Sequence, residues 1–448
     1  MRILFLVHPG EYTRLIMRDF VTGFEKAGHE TMMLELAPLW NSYGAEPDKN
    51  PRAMAAASEG LVRTIKEKGV EATCAMEGLG LRSFAHSSGK GRPMTVYDIA
   101  GVPHLCFWFE SPIWADGGRY APFFGKPLFN TRALAHVVDN SAVAREVREK
   151  LGMSNTTHTP WAADPEIFAP RKDAKAEYDV VMSCGKGNPN PTPAALKELD
   201  NDTPDMMAIR KDLVTHIAPF VKNFAKQSPK PAELESFMLK LLDSQVASRH
   251  TPLLDRMEAI AGEDYKHSVA MQTLTAAPPA FIQAGRIVRN VEISERAFLV
   301  SWISRRFKTA VVGDHNLAPW NIKADTIPPV RHSEMASVLA KGKVVVHTAR
   351  WQDDAGVGTR PFEIAACGLA GVVQRRPSMS SLFEEGKEMA FFDAPSEAAD
   401  RIRALLADDA GRAAMGGAAR ARAERDHTWR HRAEAMVPAI LAAKQRLS

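Results

Sequence analysis

Short apolar runs alternate with amphipathic segments along the first 165 residues of the chain. Segments 13–27 and 52–68 carry apolar residues at the spacing of a helix. Strands that are apolar throughout and alternate with helices predict a parallel sheet covered on both faces, which is a Rossmann-like domain. The predicted strands are RILFLVH (2–8), ETMMLEL (30–36), EATCAME (71–77), PHLCFWF (103–109) and LAHVVDN (134–140).

A second series with the same alternation begins at residue 178 and predicts a second Rossmann-like domain. Its predicted strands are YDVVMSC (178–184), KTAVVGD (308–314), KVVVHTA (343–349), LAGVVQ (369–374) and MAFFDA (389–394). The helices of this series are predicted at 293–306, 332–341, 361–368 and 396–408.

Residues 186–292 interrupt the second series and contain many helix formers with patchy periodicity. Amphipathic helices are predicted at 230–247 and 253–272, and the polar, proline-rich stretch 187–205 is predicted to be a loop. No sequence repeat with the period of a solenoid is present. We therefore expect a helical insertion in the second domain.

Three prolines and a charged run within 158–179 are typical of an interdomain joint. The predicted organisation is an N-terminal domain at 1–168, a C-terminal domain at 176–430, and a final helix at 431–448 that packs back towards the N-terminal domain. The fold class is α/β. Two such domains facing a cleft would bind ligands where the strands end.

The composition is that of a soluble globular protein, with 448 residues, 45% hydrophobic and 25% charged. A net charge of +4 does not require a nucleic-acid partner. The four cysteines are far apart and form no CxxC pair, so a reducing cytoplasm is expected. RILFLVH is too short for a signal-peptide core, and no apolar run approaches the length of a membrane span. The Ala- and Arg-rich segment 410–432 is interpreted as a solvated helix face, with peripheral membrane contact as the less favoured alternative.

The segment RWQDDAGVGTRPFEIAACG, which follows KVVVHTA, combines glycines, a cation and an acid at a strand-to-helix turn. Gly356 and Gly358 permit close backbone approach, and Arg360 adds a charge at a helix start that attracts phosphate. Glu363 has two interpretations that its position leaves open. Its carboxylate would accept hydrogen bonds from ribose hydroxyls, or it would only stabilise the first turn of the helix.

The closing third of the chain also carries a family resemblance. Three segments are similar to the C-terminal motifs of the CgeB-like (spore maturation protein) glycosyltransferases, namely GVGTRPFEIAACGLAGVVQ, SLFEEGKEMAFFD (381–393) and HTWRHRAEAM (427–436). That family has the GT-B fold and a C-terminal domain of the group 1 glycosyl transferase type. PWAADPEIFAP (160–170), YDVVMSCG (178–185) and PHLCFWFESP (103–112) match less tightly. The resemblance covers about three quarters of the chain and omits the insertion.

The resemblance implies transfer of a sugar from a nucleotide diphosphate sugar, with UDP as the expected nucleotide. It implies that Glu363 binds the donor ribose, that Arg360, Gly356 and Gly358 face the diphosphate or the sugar, and that the base lies near Val330. Lys186, in SCGKGNP, is a second diphosphate candidate, with a solvated loop lysine as the alternative. His347, at the end of KVVVHTA, is a further candidate donor contact.

The sequence departs from the pattern of many retaining GT-B enzymes at one position. Those enzymes carry a second glutamate that is separated from the ribose-binding acid by seven residues, and Ala355 stands at that position in this chain. We expect the neighbouring Asp354 to contact the transferred sugar instead. The departure leaves the donor sugar and the stereochemistry open.

The N-terminal half offers two loop candidates. Gly10, in HPGEYT, would allow the backbone to approach the donor phosphate or the acceptor. Glu110, in WFESPIW, is the candidate general base for an inverting transfer, although a loop acid that caps a helix or pairs with Arg119 is the alternative.

Three functions agree with these observations. The first is glycosyl transfer without a metal or a cofactor, to an acceptor that is a protein, a glycan, a lipid-linked intermediate or a small molecule. The others are a sugar-nucleotide 2-epimerase and a binding protein without turnover. The DND at 200–202 resembles a metal-binding motif but does not follow a sheet strand, so no metal site is predicted. We also expect the insertion to influence the choice of acceptor.

Overall fold

The chain divides into two compact units in a computed structural model of the protein. Unit 1 comprises Met1–Trp161 and Thr428–Ser448, and unit 2 comprises Ala162–His427. The structure describes residues 1–7, 11–36, 51–76, 78, 85–87, 93–109, 111–112, 127–171, 173–183, 190–263, 268–276, 278–313, 318–349 and 354–448.

The described residues form strands and helices whose bounds follow in chain order. The strands are β1 (Arg2–Val7), β2 (Glu30–Glu35), β3 (Ala72–Met76), β4 (Ala85–Ser87), β5 (Pro93–Thr95), β6 (His104–Phe107), β7 (Leu134–Val138), β8 (Thr156–His158), β9 (Tyr178–Ser183), β10 (Thr309–Val312), β11 (Asp325–Ile327), β12 (Gly342–His347), β13 (Ala370–Gln374) and β14 (Ala390–Phe392). The helices are α1 (Glu11–Lys26), α2 (Pro51–Glu67), α3 (Val96–Ala100), α4 (Ser141–Lys150), α5 (Pro193–Glu198), α6 (Met206–Ala225), α7 (Pro231–Ala247), α8 (Leu253–Ala261), α9 (Val269–Ala276), α10 (Pro278–Arg289), α11 (Val291–Ser304), α12 (Met335–Leu339), α13 (Arg360–Ala366), α14 (Met379–Leu382), α15 (Pro395–Ala407), α16 (Asp409–Asp426) and α17 (Trp429–Leu447).

Unit 1 is built on a six-stranded sheet with the order β2-β1-β3-β6-β7-β8. All of its strand pairs are parallel. The inner strands β3, β6 and β7 are buried along their whole length, which is why they are apolar throughout. The edge strand β2 is partly exposed at most positions. A separate antiparallel pair joins β4 to β5.

The last helix of the chain, α17, packs on α1 and belongs to unit 1. Its approach is close at Gly23, because a Cβ there would lie 2.5 Å from the carbonyl oxygen of Trp429. The Trp429 ring meets Phe20 edge to face, with 5.6 Å between the ring centroids. Helix α17 begins at Trp429, two residues before the predicted start at 431. The first segment of unit 1 ends at Trp161, whereas the N-terminal domain was predicted to end at 168.

Unit 2 is built on a second six-stranded parallel sheet with the order β11-β10-β9-β12-β13-β14. In chain order this is 3-2-1-4-5-6, the arrangement of the Rossmann fold. Helices α5 to α10 lie between β9 and β10 in the chain, and α11 then leads into β10. The predicted α/β fold with two Rossmann-like domains and a helical insertion is confirmed. None of the described helices is long and apolar enough to cross a membrane.

Candidate functional site

The sheet of unit 2 has a topological switch point between β9 and β12. The next strand in the chain after β9, β10, lies on one side of β9, and β12 lies on its other side. Val346 pairs with Met182 in the register of the two strands, so Ser183 and His347 end them side by side. Such an edge is where doubly wound folds bind their ligands.

Arg360 connects the end of β9 to the acid on α13. Its Nη2 donates to Ser183 Oγ at 3.2 Å, and its Nη1 donates to Glu363 Oε2 in an ion pair. Glu363 is 4% exposed. Its Oε1 accepts no hydrogen bond from the described part of the chain. A nearly buried carboxylate therefore lies next to a cation at the switch point, with one oxygen available to a ligand.

The loop before α13 is buried and closely packed. Ser378 donates from its backbone N–H and its hydroxyl to the carbonyl oxygen of Ala355. Gly358 has a φ of +66°, which a residue with a Cβ rarely adopts, and this explains a glycine at that position. Gly356 is buried in the same loop. The helix itself begins at Arg360, one residue earlier than predicted.

Asp354 is held by the helical insertion. Its Oδ2 accepts from Arg289 Nη2 at 2.7 Å and Nε at 3.1 Å, and from the backbone N–H of Leu253 at 3.0 Å. The Arg289 and Asp354 side chains are 2% and 4% exposed. The carboxylate thus fastens the start of α8 and the end of α10 to the loop after β12. Its predicted contact with a transferred sugar stays a prediction.

A second arginine reaches the end of β9 from α11. Arg296 Nη2 donates to the carbonyl oxygen of Ser183 at 3.1 Å. The preceding residue, Glu295, is directed elsewhere and forms buried ion pairs with Arg210 at 2.5 Å and Arg249 at 2.6 Å. Burial opposes the ionisation of Glu295, but Arg249 and Arg210 outweigh it and lower its pKa. Arg296 was not among the predicted site residues, because no loop or motif marks it in the sequence.

The thiol that follows α13 is protonated. Burial raises the pKa of Cys367 to about 12, and the negative charge of Glu363 adds to the shift. Cys367 is therefore a packing residue and not a thiolate nucleophile.

Asp354, Gly356 and Gly358 lie in the loop before α13, and the other predicted site residues fall into three groups. Arg360 and Glu363 meet at the end of β9, and His347, which is 6% exposed, ends the adjacent strand. Val330 is half-buried in the loop after β11, at the edge of the sheet, with β10 between β11 and β9. Gly10, Glu110 and Lys186 lie outside the described residues.

No group of three His, Cys, Asp or Glu side chains arranged to hold a metal ion is found within the described ranges. That the protein works without a metal ion stays a prediction.

One protein family matches the chain over residues 289–437, which is 149 of its 448 residues. Its description is glycosyl transferase-like. The matched segment begins at the residue that pairs with Asp354 and contains Arg296, Arg360 and Glu363. No curated protein is significantly similar to the chain.

Several solved structures are similar to the whole chain at low identity. Sucrose-phosphate synthase from Thermosynechococcus elongatus has a TM-score of 0.49 and 10% identity, with 98% of each chain covered. Anabaena HepE in complex with UDP-glucose has a TM-score of 0.46 and 12% identity, with 98% of this chain and 99% of that chain covered. T4 phage BGT in complex with its UDP-glucose substrate has a TM-score of 0.46 and 7% identity, with the same coverage.

Likenesses of this size do not identify a substrate for this chain. The family match and the strand order of unit 2 carry more weight, because the matched segment contains β12 and α13, which form one side of the switch point. Residues 289–437 match a glycosyl transferase-like family model, within a chain of two Rossmann-like units.

Proposed function

We propose that the protein transfers a sugar from a nucleotide diphosphate sugar, with UDP as the nucleotide, to an acceptor that is a protein, a glycan, a lipid-linked intermediate or a small molecule. One observation carries the proposal: Arg360 and Glu363 meet at the switch point of a Rossmann sheet, inside the segment that matches a glycosyl transferase-like family. The CgeB-like assignment and a cytoplasmic location belong to the same proposal.

Glu363 is proposed to bind the donor ribose. Because Glu363 is only 4% exposed, a ribose hydroxyl that donates a hydrogen bond to its carboxylate would not compete with bulk water. The helix dipole stabilises an acid by about 0.3–1 kcal/mol at an exposed helix start and by up to about 2 kcal/mol at a partly buried one, which does not offset the cost of burying a carboxylate. The Oε1 atom of Glu363, which accepts no hydrogen bond from the described chain, supports the ligand role over the purely structural one.

The leaving diphosphate develops negative charge as the bond to the sugar breaks, and it needs positive partners. Arg360 is a cation whose planar guanidinium presents a fork of N–H donors. The backbone of Gly356 and Gly358 can approach the phosphates closely because neither residue has a Cβ. Lys186, which follows β9 in the chain, is proposed as a further cation. No metal and no cofactor take part in this proposal.

Two acids are proposed for the chemical step. Glu110 is the candidate base for an inverting transfer, and Asp354 is the candidate contact for the transferred sugar in place of Ala355. The ion pair of Asp354 with Arg289 assigns it at least a structural role, so its catalytic role needs a separate test. His347 and Val330 are proposed donor contacts, and Gly10 is proposed to approach the phosphate or the acceptor.

The experiment that tests the proposal is turnover of a panel of nucleotide sugars by the purified full chain. We expect release of a nucleoside diphosphate from one donor, at a rate that rises when fractionated acceptor extracts are added. Conversion of the donor to an epimer without an acceptor would indicate an epimerase instead. Binding of a donor without turnover under any condition would indicate a binding protein.

A further inference from the structure

The end of β9 carries two arginines from different parts of unit 2. Arg360 reaches the Ser183 hydroxyl from the start of α13, and Arg296 reaches the Ser183 carbonyl from α11. Both guanidinium groups therefore lie within hydrogen-bond distance of a single residue at the switch point. Two guanidinium groups that contact the same residue carry like charges, which repel each other unless a negative group lies nearby.

The charges of the described groups at this point do not cancel. Arg360 is neutralised by Glu363, while no described carboxylate pairs with Arg296. Glu295, the acid next to Arg296 in the sequence, is committed to Arg210 and Arg249. Two arginines and one glutamate leave one net positive charge at the end of β9.

The donors of Arg296 are also only partly used. Its one hydrogen bond within the described chain uses Nη2, and its Nε is buried without a partner there. Burying an N–H without a hydrogen bond costs about 1–3 kcal/mol. A guanidinium with unused N–H groups, beside the ligand-binding edge of a Rossmann sheet, suits a phosphate, which accepts two parallel hydrogen bonds from it.

We propose that Arg296 binds the diphosphate of the donor together with Arg360, so that α11, which follows the helical insertion, supplies part of the anion site. This inference rests on the proposed function, since it assigns a residue to the same donor. It accounts for a half-buried cation that the sequence motifs leave unexplained. It also makes the carboxyl end of β9 the position of the phosphates.

The test is calorimetric titration of the full chain with UDP, uridine and inorganic pyrophosphate, for wild type, Arg296→Gln and Arg296→Lys. Losing a hydrogen bond to a charged group should weaken UDP and pyrophosphate binding by about tenfold to a hundredfold in Arg296→Gln. Uridine affinity and the melting temperature should stay unchanged, and Arg296→Lys should recover part of the loss because it keeps the charge. Arg305→Gln is the matched control, because Arg305 caps the C-terminal end of α11 and pairs with the exposed Asp200.

The outcomes separate this inference from the proposed function. If Arg296→Gln binds UDP within twofold of wild type, the inference is wrong and the proposed function stands. An equal loss for UDP and uridine with a lower melting temperature would assign Arg296 a purely structural role and also overturn it. If wild type binds pyrophosphate but not UDP, the proposed function fails and the pyrophosphate titration of Arg296→Gln still decides the inference. Binding of neither ligand by wild type overturns both.

Discussion

The ion pair between Asp354 and Arg289 should be among the costliest contacts to break in unit 2. Both side chains are almost fully buried, and Oδ2 of Asp354 accepts two guanidinium N–H groups and the N–H of Leu253. Removing one partner of a buried ion pair costs about 3–5 kcal/mol, because the other charge stays buried. We therefore expect Asp354→Leu and Arg289→Met each to lower the free energy of unfolding by about that amount.

The double variant Asp354→Leu/Arg289→Met should be more stable than either single variant. It removes both charges and replaces them with apolar side chains, which is often neutral for a buried pair. The N–H of Leu253 still loses its acceptor, so a cost of about 1–3 kcal/mol remains. The coupling energy of the double-mutant cycle should therefore be at least about 2 kcal/mol.

Urea unfolding with pulse proteolysis, with fragments of unit 2 identified by mass spectrometry, measures these differences in the unit that contains the pair. Single substitutions that cost less than about 1 kcal/mol, or costs that simply add in the double variant, would refute the reasoning. Turnover by the double variant then separates two roles of Asp354. A purely structural aspartate predicts that activity returns with stability, whereas contact with the transferred sugar predicts a stable but inactive protein.

Three further predictions concern packing and pH. In α16, Gly416→Ala should destabilise unit 2 in thermal unfolding, because a Cβ at that position would lie 2.2 Å from the Gly368 carbonyl oxygen. Gly417→Ala should instead stabilise unit 2 by up to about 1 kcal/mol, because no heavy atom would lie within 4 Å of its Cβ. Burial lowers the pKa of His136 to about 4. The stability that the neutral imidazole contributes above about pH 6.5 should therefore fall by about 3 kcal/mol as the pH falls towards 4. The urea midpoint of His136→Gln should vary less than that of wild type over the same range. The pKa of Glu295 is lowered against the effect of burial by its two arginines, so its contribution is present above about pH 4.5 and lost below; the deficit of Glu295→Gln should be large at pH 7 and shrink at pH 3.

The inner strands of both sheets and the buried edge strand β14 were predictable, and the short exposed edge strands β8 and β11 were not. Inner strands are buried on two faces and read as continuous apolar runs. By contrast, β8 and β11 have three residues each, two of them exposed, so their sequences do not differ from those of loops. Their strand conformation depends on pairing with β7 and β10, which lies outside the local sequence.

The insertion was predicted in outline but not in detail. The predicted loop at 187–205 is wrong where Pro193–Glu198 form a helix, and the single helix predicted at 253–272 is two helices that flank Gly262. Helix α6 was not predicted, and Pro219 in its interior weakens the local signal. Tertiary packing between α6 and its neighbour α7 decides the structure of this segment.

The part of the site that is local in sequence was predictable. Arg360 and Glu363 are three residues apart on one helix, so the motif placed them together. Asp354 and Arg289 are 65 residues apart, and Arg296 lies 113 residues from Ser183. Contacts over such distances leave no spacing pattern in a single sequence. The insertion is accordingly better tested by point substitutions than by deletion of 186–292, which would also remove Arg289.

The most direct test of the account is the affinity of UDP for Glu363→Gln, measured by calorimetry beside wild type and Glu397→Gln. Glu397 is a matched control, because it is also an acid in the first turn of a helix of unit 2 and is more exposed. If Glu363 binds the donor ribose, its substitution should weaken UDP binding by about tenfold to a hundredfold, with Glu397→Gln unchanged. Equal UDP affinity for all three proteins, with a lower melting temperature for Glu363→Gln, would contradict the account and leave Glu363 as a helix stabiliser.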